Sequence, residues 1–143
     1  YGVRSIAAVG VAAHETGHAM QYAQGYAPIQ IRNAIVPVTR IASGVSIYMV
    51  LFGLLFWEPL AMLGVAFFGF SVVFQLLTLP VEFNASSRAM KALRESGVLT
   101  EEELSGARKV LTAAAMTYVA ALFLSLMSFL RLLLIVGGRR RND

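Results

Sequence analysis

Hydrophobic positions in this chain gather into three long runs separated by short polar punctuation. Ile41 to Trp57 and Leu60 to Leu79 are apolar on either side of Glu58-Pro59, and Val110 to Leu130 forms a third run. A helix needs ~20 apolar residues to cross a bilayer, which the second and third runs supply and the first only just reaches. The first two predict a transmembrane hairpin over residues 41–79 that turns at Trp57-Glu58-Pro59. Trp57 suits an interfacial anchor, and Glu58 a solvated turn acid.

Helix signals fill the rest of the chain. Ser5 can cap a helix over 5–25 that Gly25 and Pro28 stop. Residues 29–40, with Arg32, Pro37 and Arg40, read as a connector. Pro80 marks a kink or a fresh start, so 80–95 reads as its own helix, ended by Ser96-Gly97. Thr100 followed by Glu103 is a capping-box pattern, which explains Glu101 to Glu103 as first-turn charges on a helix over 101–136. Arg131 can snorkel, and Gly137 to Arg141 form a basic tail. The expected architecture is all-α, an integral membrane helical bundle in one domain over 1–143, with the 5–25 helix at the membrane surface.

Composition supports that class. The chain is 57% hydrophobic and only 14% charged, too apolar for an ordinary soluble domain. Its net charge of +4 does not argue for nucleic acid, because the basic residues flank apolar runs where they would meet lipid headgroups. Arg32, Arg40, Arg88, Lys91, Arg94, Arg108 and Lys109 lie to one side of the hairpin, which places the 5–25 helix on the cytoplasmic side. Three spans then send the basic tail outward, against the same tendency. The chain opens at Tyr1 and so reads as a fragment or processed product, lacking an N-terminal part. No strand that could hold a peptide at a sheet edge is legible.

Chemistry is concentrated at His14-Glu15-Thr16-Gly17-His18. At 3.6 residues per turn, His14 and His18 stack on one helix face and can reach a single metal. Glu15 is turned aside from that position, yet it can accept a proton from a water in the metal's open site. They are the only 2 histidines in the chain. The bland alternative, satisfied helix histidines beside a solvated acid, requires burying two imidazoles without a partner.

A catalytic zinc takes three protein ligands and a water. With no third histidine and 0 cysteines, the third donor must be an acid. Asp143 lies in the tail, Glu95 closes a helix, Glu101 to Glu103 cap one, and Glu58 is in a turn. Glu82, directly after an apolar run, is left, and a nearby cation would offset the cost of its charge. The competing reading pairs Glu82 with Arg88 or with headgroup water. One Zn2+ on His14, His18 and Glu82 is therefore expected.

Ser5 to Glu15, Leu79 to Ser86 and Thr117 to Ala121 resemble the YugP-type bacterial neutral zinc metallopeptidases, within the broader gluzincin kind of membrane protease. The resemblance implies an upstream anchor helix and a short segment that are absent here. In related HtpX-type proteases an aspartate four residues after the acid ligand braces a zinc-bound histidine. That position is Ser86 here, so the brace is a hydroxyl, or else Asn84 supplies it. A site-2 type of protease needs an aspartate ligand in a late span, which this chain lacks.

The expected function is a membrane-embedded zinc endopeptidase acting on a peptide or protein substrate in contact with lipid, with Glu15 as the base. Tyr118, Asn84 and Arg88 are candidate donors to the oxyanion, Tyr118 competing with a simple bond to a neighbouring helix backbone. The alternative is a catalytically silent membrane scaffold or adaptor that uses the metal for structure or has lost it. A metal transporter would need more polar groups along the spans. The sequence leaves oligomeric state open.

Overall fold

A computed structural model describes residues 2–142, and the side chains from Ser5 onward. Asp143, set aside above as a tail acid, lies outside the described residues. Four helices follow one another: α1 Gly2–Ala23, α2 Ala27–Phe56, α3 Glu58–Ser96 and α4 Glu101–Asn142. There is no strand among the described residues, so the all-helical expectation holds. Helices α2, α3 and α4 are each long and apolar enough to cross a membrane.

The joints follow the turn chemistry of the sequence. Gly25 stops α1 with φ of +68°, a conformation that costs glycine nothing. Its N–H reaches Tyr22 O at 3.1 Å, while Tyr26 N–H reaches Gln21 O at 2.8 Å, the paired bonds of a Schellman end. Gly97 ends α3 in the same left-handed region, at φ of +66°. The capping box ahead of α4 is formed in both directions: Thr100 N–H donates to Glu103 Oε2 at 2.9 Å, and Glu103 N–H to Thr100 Oγ1 at 3.2 Å.

Several expected boundaries are wrong. The connector over 29–40 is helix: α2 starts at Ala27, places Pro28 in its first turn and carries Pro37 inside. The 80–95 helix is not separate, because α3 runs unbroken through Pro80. Ser5 is no cap, since α1 begins at Gly2. The 101–136 helix extends through Gly137-Gly138, so the basic tail is helical to Asn142. At Pro37 and Pro80, inside long apolar helices, an open backbone N–H or C=O away from water is more costly than one proline's missing donor, so the helix continues.

The helices contribute to two compact units, one of residues 1–32 and 78–119, the other of 33–77 and 120–143. The second unit packs Val50, Ala61, Val65 and Val136, with Leu54, Phe129 and Leu132 around them. Trp57 alone joins α2 to α3 and is 63% exposed, as an interfacial anchor requires. Glu58 opens α3, where its charge suits the helix dipole, and its Oε1 lies 3.9 Å from Arg140 Nε. That exposed pair adds little stability, but it puts the basic run beside the hairpin turn. Ile41, Leu55, Phe56, Phe70 and Leu134 are exposed and give this unit an outward apolar surface.

The first unit is built on small residues. Ala13, Ala89 and Leu111 form its buried centre, with Met90 and Leu93 against them. A side chain at Gly17 would overlap the backbone carbonyl of Ala85, so α1 and α3 touch backbone to backbone. Ordinary helix packing therefore accounts for Gly17, in the manner of small-residue seams between membrane helices.

Candidate metal centre

The Gly17–Ala85 contact determines which side chains meet. On α1, His14, His18 and Gln21 lie along one edge of the seam. On α3, Ser86, Glu82 and Val81 answer them in antiparallel order. His14 Nε2 is 3.0 Å and His18 Nε2 3.3 Å from the same oxygen, Glu82 Oε2. The two rings stand nearly perpendicular, with centroids 4.7 Å apart. The expected trio thus converges, its ligand atoms all within 4.8 Å of one another.

The far side of each imidazole is tied down. His14 Nδ1 lies 3.0 Å from Ser86 Oγ, and His18 Nδ1 lies 2.9 Å from Gln21 Oε1. Gln21 is fully buried, and its amide nitrogen donates to Val81 O at 2.9 Å and Asn84 Oδ1 at 3.0 Å. With that nitrogen committed as donor, Gln21 Oε1 can only accept. His18 therefore carries its hydrogen on Nδ1, and its Nε2 lone pair is directed at Glu82. Ser86 Oγ, a hydroxyl that can accept as well as donate, admits the same tautomer for His14.

The donor set fits a divalent cation. Two imidazole lone pairs and a carboxylate oxygen aimed at one another repel unless a proton or a cation lies between them. Ligand atoms around tetrahedral zinc at about 2.0–2.1 Å stand about 3.3–3.4 Å apart, close to the spacing of each imidazole from Glu82. Two neutral nitrogens and one oxygen suit zinc by type as well.

Glu82 is 3% exposed, so its charge needs a partner. The competing reading assigned Arg88. The structure instead brings Arg32 Nη2 to 2.6 Å from Glu82 Oε1. Arg88 Nε donates to Asn84 Oδ1 at 2.7 Å, and its guanidinium lies 5.3 Å from the centre of the Tyr26 ring. The Tyr118 hydroxyl lies within electrostatic reach of Glu82, Arg32 and Glu15. Glu15 is exposed, one position round the helix from His14.

Ser86 and Asn84 both take part, on different rings. Ser86 holds His14 directly, and Asn84 holds His18 through Gln21. Two contributors escaped the sequence reading. Gln21 shares the histidine face, at three residues beyond His18, and that spacing was a usable signal. Arg32 had none, because its position depends on α2 beginning immediately after the Gly25 turn.

With this geometry in place, the comparisons with known proteins become decisive. Residues 1–137 match the family described as "Putative neutral zinc metallopeptidase". The chain belongs to this family. It is similar to the "Putative membrane protease YugP" of Bacillus subtilis (strain 168), at 47% identity over 144 residues. The alignment covers 99% of this chain and 64% of that relative, so the chain spans just under two thirds of the relative's length. No solved structure matches the chain. Membership in a zinc metallopeptidase family agrees with the ligand types that converge at Glu82.

Proposed function

We propose that this chain is the catalytic part of a membrane-embedded, zinc-dependent endopeptidase, with one Zn2+ held by His14, His18 and Glu82. The observation that carries the reading is the convergence of three acceptor atoms, each imidazole fixed from behind by a hydrogen-bond partner. Bound zinc would acidify a water and polarise the scissile carbonyl.

The remaining work falls to side chains of the protein. Glu15, beside His14 and open to solvent, accepts the proton of the attacking water and passes it to the leaving amine. Tyr118, whose hydroxyl lies within electrostatic reach of Glu82 and Glu15, is the group best placed to donate to a developing oxyanion. Ser86 and the Gln21–Asn84 pair keep both imidazoles in the ligating tautomer. The substrate is a peptide or protein presented at the bilayer, and the site faces the cytoplasmic side of the inner membrane, as the flanking positive charge favours.

Glu15→Gln separates this reading from a silent scaffold with a structural metal. The full-length variant, purified in detergent, should keep its zinc and lose hydrolysis of a peptide library, whereas wild-type protein that cleaves nothing while retaining zinc contradicts the enzymatic reading.

A further inference from the structure

The two oxygens of Glu82 are engaged on opposite sides. Oε2 faces both imidazoles at 3.0 and 3.3 Å, and Oε1 is held by Arg32 Nη2 at 2.6 Å. Arg32 comes from the start of α2, delivered by the reversal at Gly25, whereas the other nearby cation, Arg88, is occupied by Asn84. A carboxylate can hold a metal through one oxygen or both. Which of these occurs depends on what else grips it.

We propose that Arg32 is a positioning residue that reserves Glu82 Oε1, so that Glu82 serves as a one-oxygen ligand and a coordination position stays open to water. This rests on the metal-site reading above. Arginine suits the task because it remains charged at any working pH and its planar fork restrains a carboxylate in direction as well as distance. It also supplies the counter-charge that holds the buried Glu82 in place before metal arrives. The reserved oxygen matters to the reaction, since a second metal contact from Glu82 would take the place the water needs.

The test uses full-length protein in detergent, loaded with Co(II), whose visible absorption reports ligand number. Arg32→Met should shift and weaken the Co(II) bands as Glu82 turns its second oxygen to the metal, and lower kcat about 10–100-fold with little change in KM. Arg32→Lys keeps the charge without the fork and should lose about tenfold in kcat. It also decides the matter if Arg32→Met does not fold. Wild-type bands and wild-type kcat in the folded variants overturn the assignment to Arg32 while leaving the metal site standing. Failure of the wild-type protein to take up Co(II) or Zn(II) overturns both.

Discussion

Gly17 rests directly on the carbonyl of Ala85, with no room for a side chain between α1 and α3. This single contact sets the distance at which His14 and His18 meet Glu82. Elsewhere in a helix, glycine to alanine gains about 1 kcal/mol. Here the added carbon meets backbone, which cannot swing aside, so the helices must part.

Gly17→Ala should therefore destabilise the protein by about 1–3 kcal/mol, against the propensity gain, and reduce zinc binding with it. Thermal unfolding in detergent with and without zinc checks this. A raised Tm would contradict the packing.

Ser86→Ala removes the hydrogen-bond partner of His14 Nδ1 and leaves the ring free to turn. Zinc affinity, measured by competition with a chromophoric chelator, should fall about tenfold with helical content unchanged. Ser86→Asp should restore or exceed the wild-type value, because a carboxylate braces an imidazole more strongly than a hydroxyl does.

Gln21→Leu should cost more than a surface change of similar size. It strands His18 Nδ1 and removes one of the donors to Val81 O and Asn84 Oδ1, in a site where Gln21 itself has no exposure. Loss of about 1–3 kcal/mol in chemical denaturation is expected, together with weaker zinc binding.

Tyr118→Phe deletes one hydroxyl within electrostatic reach of Glu82 and Glu15. If that hydroxyl serves the oxyanion, kcat should drop about 100-fold or more, while zinc content and KM stay near wild type. A variant with undiminished kcat would remove Tyr118 from the oxyanion role.

The reach of the sequence can be judged from particular residues. His14 and His18 were legible because helical periodicity places i and i+4 together whatever the tertiary fold. Glu82 was legible by elimination in a chain with few acids and no cysteine. The capping box at Thr100 and Glu103 is likewise local chemistry. Helix continuity through Pro37 and Pro80 was not legible, since proline's local penalty is outweighed by the need to satisfy backbone groups away from water. Arg32 shows the other limit: it lies 50 residues from Glu82 in sequence, and only the α1–α2 reversal brings them together. Read as a membrane-flanking charge, it gave no hint of that partner.

Metal content of the full-length protein tests the central claim most directly. About one zinc per chain is expected in the wild type and in Glu15→Gln, and Glu82→Ala should lose it, since catalytic zinc needs three protein ligands. A Glu82→Ala variant that folds and still holds one zinc per chain would contradict the site described at His14, His18 and Glu82.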